Sequence, residues 1–252
     1  MQPTERFSDR AAVYTRGRPT YPDAIVAHLR GVGALPDDAV VVDLGVGTGL
    51  SAEPFLRAGC SVIGVEPNAP MRAVGDERLA HHGRYRSVGD SAEATTLAPG
   101  CAHLVIAGQA FHWFDPARAG AEARRILAPG GWGALIWNDR PATGTAFLEG
   151  YEALLRTYGI DYEKVSHRHV DVDAINRFFA PTQPAVAYFD NPRTLARDEL
   201  AALVGSASYM PPPGHPRHAA MSAALDKLFQ AHAADGRVAM HYRTRMHYGP
   251  LA

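Results

Sequence analysis

Residues 40–49 read Val-Val-Val-Asp-Leu-Gly-Val-Gly-Thr-Gly, and the fold turns on how this stretch is read. Val40, Val41 and Val42 are a β-branched apolar run, the pattern of a parallel strand buried on both faces. Asp43 ends the run, and Gly45, Gly47 and Gly49 follow at alternate positions. The chain must then turn sharply and enter a helix near Ser51. The turn carries so little side chain that a ligand can lie directly on its backbone. A loop built for a dinucleotide sets its third glycine one place later, where a pyrophosphate meets the helix N-terminus. Leu50 occupies that place.

The segments that follow have the spacing of a nucleoside-binding α/β fold. Ser61 to Val65 is a second buried strand and ends in Glu66-Pro67. An acidic residue roughly 20 positions beyond the glycine turn is where such folds accept the ribose hydroxyls. Glu66 would serve several nucleoside cofactors, so it supports the fold more than any one of them. Gly89-Asp90-Ser91-Ala92-Glu93 follows a third strand. Leu104 to Gly108 is a fourth strand, with Gln109-Ala110-Phe111-His112-Trp113-Phe114 as its exit. A helix through Glu122 stops at Pro129-Gly130-Gly131, before a fifth strand from Trp132 to Trp137.

Together these segments resemble class I S-adenosylmethionine-dependent methyltransferases. Gly-x-Gly-x-Gly behind an acidic residue is similar to their motif I, and that cofactor has no phosphates to cradle. Ser-Ala-Glu at 91–93, Gln-Ala-Phe-His-Trp-Phe-Asp at 109–115 and Glu-x-x-Arg-Ile-Leu-x-Pro-Gly-Gly at 122–131 resemble the type 11 family. Within it the likeness is to the trans-aconitate methyltransferase-like group, supported by Phe7, Ala11, Tyr14, Arg18-Pro19, Tyr21-Pro22 and Ser206-x-Ser208-Tyr209. The similar segments span 7–140 and 185–250. The sequence departs at His103, where an aspartate normally opens the fourth strand.

The resemblance implies a doubly wound, mostly parallel α/β sheet of the Rossmann-like kind, with seven strands and helical cap insertions. It implies S-adenosylmethionine as cofactor and S-adenosylhomocysteine as product. Asp43, Gly45, Gly47, Gly49, Glu66, Pro67, Met71, Asp90, Ser91 and Gln109 are the expected cofactor-binding residues. Glu66 would take the ribose, Asp90 would approach the adenine amino group, and the Gln109 backbone would run beside the methionine moiety.

Composition narrows the class further. A chain of 252 residues can build one large domain, or one domain with a cap, around a substantial core. Lys plus Arg number 25 against 26 Asp plus Glu, so no basic track for nucleic acid or anionic membrane is expected. The apolar runs are strand-sized, too short to span a bilayer. Met1-Gln2-Pro3-Thr4-Glu5-Arg6 lacks the apolar core of a signal peptide, and Cys60 and Cys101 read as reduced thiols. The expectation is a cytoplasmic monomer or homodimer with a small-molecule methyl acceptor and neither nucleic-acid nor membrane partner.

Helix signals fill the intervals. Asp23 opens a helix with Ile25, Val26 and Leu29, closed by Gly31 and Gly33; Ser51 is expected to cap Ala52 to Ala58. Asn68 precedes a helix with Met71, and Asp115-Pro116 is a cap followed by proline at the first helical position. Phe147, Tyr151, Leu154, Leu155 and Tyr158 recur at helical spacing, and a short helix follows Asp173. Ala185 to Phe189 and Val238 to Tyr248 read as the last two strands, the latter alternating Met240, Tyr242, Thr244, Met246 with His241, Arg243, Arg245, His247. In the topology the resemblance implies, that strand is antiparallel and inserts beside the fifth. Residues 144–183 and 195–235 are expected as cap elements of a single domain over 1–252, with residues 1–22 as an N-terminal lid.

Methyl transfer is an in-line displacement whose leaving group becomes neutral, so alignment in a closed site does most of the work. A base is needed only when the nucleophile carries a proton. His112, past the fourth strand, is the candidate catalytic residue, as base or substrate contact; bracing the loop beside Trp113 is its structural alternative. Tyr14, Arg18, Tyr21, His112, Trp113 and Tyr209 are the candidate substrate residues. A carboxylate acceptor, which the resemblance implies, needs cations; Arg18, Arg168, Arg193, Arg243 and Arg245 are available. O-methylation of a small carboxylic acid therefore competes with N-, O- or C-methylation of an aromatic or heterocyclic metabolite. His167, His169, Asp171 and Asp173 alternate like metal ligands, but an aspartate N-cap explains the pair better, and no metal is expected. The competing functions are an NAD-dependent oxidoreductase, opposed by Leu50, and a non-catalytic S-adenosylmethionine-binding protein, opposed by an intact motif I and Glu66.

Overall fold

The computed structural model describes residues 17–162 and 171–251. Its first half alternates strand and helix: α1 Ala24–Gly31, β1 Val40–Leu44, α2 Glu53–Arg57, β2 Ser61–Val65, α3 Ala69–Leu79, β3 Tyr85–Val88, β4 Ala102–Gly108 and α4 Pro116–Ile126. Then come β5 Leu127–Asp139, α5 Ala146–Tyr158, α6 Val172–Phe179, β6 Ala185–Asn191, β7 Thr194–Leu195, α7 Arg197–Gly205, α8 His218–His232, β8 Val238–Ala239 and β9 Tyr242–Pro250.

The main sheet has seven strands in the order β3-β2-β1-β4-β5-β9-β6. β1 pairs in parallel with β2 (Val42 opposite Ile63) and with β4 (Val42 opposite Val105), whereas β9 runs antiparallel between β5 and β6. Strand order therefore reverses at β1 and β4, and the crevice beyond their carboxyl ends is where open α/β sheets hold ligands. This is the expected fold, with the last strand inserted beside the fifth.

Two apolar layers cover the sheet. Val41, Val62, Leu104, Ile106 and Ile136 pack with Leu29 and Phe55 on one face. Val42, Val65, Val105, Leu135 and Trp137 pack with Ala123, Ile126, Ile175 and Phe178 on the other. A third cluster joins Tyr151, Leu155, Tyr162, Leu200, Val204, Met221, Leu225 and Met240, so α5, α7, α8 and the β7–β8 ribbon share a core of their own.

Several local expectations change. Ser51 does not cap α2; its hydroxyl turns inward to Asp43 Oδ2 at 2.5 Å, and the helix starts at Glu53 without a side-chain cap. Ser51 and Asp43 are both buried, so the hydroxyl donates to the carboxyl beside it. The expected last strand splits: Val238–Ala239 pairs with Thr194–Leu195 in a separate ribbon, and the sheet strand begins at Tyr242. Val172–Phe179, inside the expected first cap segment, packs on the sheet face through Ile175 and Phe178 instead. Other caps are as read: Asn68 Oδ1 accepts from the Met71 amide at 3.0 Å, and Asp115 Oδ1 from the Ala117 and Arg118 amides. Asp171 caps α6 by accepting from the Asp173 amide; His167 and His169 lie outside the described residues.

Candidate active site

The glycine loop forms the floor of a cavity of about 330 Å³ at the carboxyl ends of β1 and β4. Gly45, Gly47 and Gly49 all have positive φ, at 70°, 56° and 85°. At Gly45 a Cβ would stand 2.6 Å from Cβ of Ala110, so the glycine lets the β1 and β4 exit loops meet. At Gly49 it would stand 2.5 Å from Leu79 Cδ1; this glycine seats α3 and is not in the cavity wall.

Glu66 ends β2 and is 9% exposed. Its Oε2 accepts from the Gly47 amide at 3.0 Å and its Oε1 from the Asn68 amide at 2.8 Å. Burial raises its carboxyl above the ordinary value, against those amides and the Arg72 guanidinium, which pull it down. Each oxygen keeps a further lone pair, which suits two adjacent hydroxyls of a ligand. Pro67 and Met71 continue this wall.

Asp43 lies beneath the loop, fully buried, and does not line the cavity. Burial pushes its carboxyl up to about 8, the Ser51 hydroxyl opposes the rise, and the Glu66 charge adds to it. At neutral pH it is largely the protonated partner of Ser51. Asp90 does not line the cavity; its Oδ2 accepts from the Thr96 amide (2.7 Å) and hydroxyl (2.8 Å), folding the loop back. The wall there is made by Ser91, Ala92 and Glu93.

The opposite wall comes from the β4 exit loop and the strap after residue 17. Gln109 has φ 55°, a left-handed backbone rare for a side-chain-bearing residue, and donates through Nε2 to the Asn138 carbonyl at 3.3 Å. His112 is exposed at the cavity mouth and Trp113 half-buried beside it, their rings 4.7 Å apart. Arg18, Tyr21 and Tyr209 close the cavity, and Arg18 Nη2 donates to the Ser206 carbonyl at 3.3 Å. Tyr14 and Arg168 lie outside the described residues. Of the other arginines considered, Arg193 donates to the Gly17 carbonyl at 2.6 Å and Arg243 lies over the Tyr188 ring, away from the cavity.

Sequence reading did not single out Asn138, which lines this cavity from the end of β5. Its Oδ1 accepts from Thr244 Oγ1 at 2.6 Å and Asn191 Nδ2 at 3.1 Å, and its Nδ2 donates to the Thr20 carbonyl at 3.2 Å. A buried polar residue closing an apolar strand was its only signal. Arg18, Pro19, Gln109, Asn138 and Tyr209 also line a second cavity of about 400 Å³, so the two chambers share a wall.

Residues 42–135 match the family model described as a methyltransferase domain. The uncharacterized methyltransferase Rv3342 of Mycobacterium tuberculosis (strain ATCC 25618 / H37Rv) is 36% identical over 138 residues, covering 53% of this chain and 52% of the relative. The chain thus aligns with about half the length of that relative. A chain described as a type II methyltransferase from Anaeromyxobacter dehalogenans superposes over 93% of this chain and 98% of its own, with TM-score 0.67 and 19% identity. Geranyl diphosphate methyltransferase in complex with S-adenosylmethionine superposes over 91% and 85%, with TM-score 0.50 and 17% identity. At these identities the structural likeness concerns the fold alone.

Proposed function

We propose that this chain is an S-adenosylmethionine-dependent methyltransferase acting on a small molecule. The observation that carries the reading is Glu66, held on the Gly47 and Asn68 amides and facing a cavity at the point where strand order reverses. NAD fits less well. Leu50 stands in the cavity wall where a pyrophosphate would approach.

The cofactor supplies a methyl group on a sulfonium centre. Glu66 accepts the ribose hydroxyls, Met71 and Ser91 to Glu93 flank the base, and Gly45 to Gly47 with Gln109 leave room for the methionine moiety. Asp43 and Gly49 act from behind the loop, by holding Ser51 and seating Leu79. His112 and Trp113 border the acceptor; His112 orients it or takes its proton. The acceptor is a small carboxylic acid, as in the trans-aconitate methyltransferase-like group, or an aromatic or heterocyclic metabolite. The chain works as a single domain, a monomer or homodimer in the cytoplasm, with the third apolar cluster as its cap.

Calorimetric titration with S-adenosylhomocysteine, with NADH in parallel, tests the class. Micromolar binding of the former alone is expected; a preference for NADH would sink the reading. His112→Ala should then leave that affinity nearly intact and lower turnover of the identified acceptor. Unchanged turnover would make the histidine structural.

A further inference from the structure

We propose that the second chamber holds the methyl acceptor, and that Tyr151, with Arg140 beside it, anchors an oxyanion of that acceptor. The inference rests on the methyltransferase reading above. The shared wall of Arg18, Gln109, Asn138 and Tyr209 makes the second chamber the neighbour of the cofactor cavity. Tyr151 and Arg140 line the same chamber, so a molecule filling it meets them as well as that wall.

The chamber is open to a ligand at Tyr151. Tyr151 is 4% exposed and lines the chamber, its hydroxyl makes no hydrogen bond among the described residues, and its ring packs on Phe147 and under the Arg140 guanidinium, 4.8 Å away. A hydroxyl that opens on a chamber in this way is free to donate to a group that enters it. Burial holds the hydroxyl's proton well above its ordinary pKa, so it can donate throughout the neutral range. Arg140 is fixed: Glu152 Oε2 accepts from its Nη2 at 2.7 Å, and Glu152 is steadied by the Tyr162 hydroxyl at 3.0 Å.

The donor and acceptor inventory chooses the ligand class. The Tyr162 and Tyr242 hydroxyls are spent on Glu152 and Met240, which leaves the Tyr151 hydroxyl to donate, and Gln109 Oε1 on the shared wall is a buried acceptor without a partner among the described residues. Asp139 Oδ2 lies 3.2 Å from Arg245 Nε, and Asn138 Oδ1 takes Thr244 and Asn191. A ligand group at Tyr151 must bring an acceptor, and a guanidinium beside a hydroxyl favours a carboxylate or phosphate over a neutral amide. The group at Tyr151 selects the acceptor.

The test titrates the S-adenosylhomocysteine complex with benzoate, phenyl phosphate and succinate, and with benzamide and succinamide as neutral counterparts. At least one anion should bind in preference to its neutral counterpart, and Tyr151→Phe should reduce that preference about tenfold while leaving S-adenosylhomocysteine affinity unchanged. Ala142→Trp, at the chamber's half-buried wall, should weaken every probe that binds the wild type, again without affecting S-adenosylhomocysteine. If no anion binds below about 10 mM, or Tyr151→Phe discriminates as the wild type does, the proposal is overturned. Failure of S-adenosylhomocysteine itself to bind would bring down the methyltransferase reading, and this proposal with it.

Discussion

Asp43 is an ionisable group with almost nothing to ionise for. It is fully buried, its one side-chain partner is the Ser51 hydroxyl, and its carboxyl sits near 8 against an ordinary 3.8. The folded protein therefore holds a proton that the unfolded chain releases between those values. Stability falls as pH rises through that window, by at most about 1.4 kcal/mol per pH unit, and the loss levels off above it. Asp43→Asn keeps an acceptor for Ser51 and cannot ionise, so urea unfolding at pH 5 and pH 8 should show the variant gaining on the wild type at the higher pH. Parallel pH profiles would mean the aspartate is charged in the fold. Glu66, at the end of a strand and after the right interval, was legible from sequence because a local pattern places it. Asp43's partner was not: Ser51 reads as a helix cap until the fold brings the buried carboxyl beside it. The bonds from Thr96 to Asp90 were hidden for a similar reason, since they form only when the loop after β3 folds back.

At the scale of elements, α4 is stapled to the loop that builds the cavity wall. Glu122 Oε1 accepts from the Thr95 amide (2.8 Å) and hydroxyl (2.5 Å), while Arg125 donates to both Glu122 oxygens and to the Leu97 carbonyl. The Arg125 hydrogen bond and the Thr95 donors hold the Glu122 carboxyl down at about 2. Its contribution is complete above the ordinary 4.5 and is lost as pH falls through 2. Glu122→Gln should cost about 1–3 kcal/mol at pH 7, and its difference from wild type should shrink as pH is lowered from 4.5 towards 2. A gap that persists at low pH would assign the cost to packing. Strands β1, β2 and β4 and the caps of α3 and α4 were legible because β-branched runs and Asn or Asp before a helix act locally. The side of the molecule on which α6 packs was not, because its amphipathic face fits either the cap or the sheet.

At the scale of the whole molecule, the cavity lies between the sheet's loops and the strap and cap residues Arg18, Tyr21 and Tyr209, so a ligand there bridges both layers. Binding only to the folded state at about 100 times the Kd should raise unfolding free energy by about 2.7 kcal/mol. For a chain of this size that corresponds to a rise in Tm on the order of 5–10 °C. Gly47→Val should abolish the S-adenosylhomocysteine-induced rise. At φ 56° a β-branched residue is strained, and its Cβ would lie 3.3 Å from Met71 Cε in the cavity wall. A folded variant that keeps the full thermal shift would remove the cofactor from this loop. The sequence by itself determined the sheet, the glycine turn and the place of Glu66 after the second strand, because strand burial, helix capping and sharp turns depend on residues within a few positions of one another. Tertiary structure alone decided the neutral Asp43, the Asn138 hub and the second chamber. Arg140, Tyr151 and Tyr242 lie on different elements, and their shared environment exists only once β5, α5 and β9 have packed.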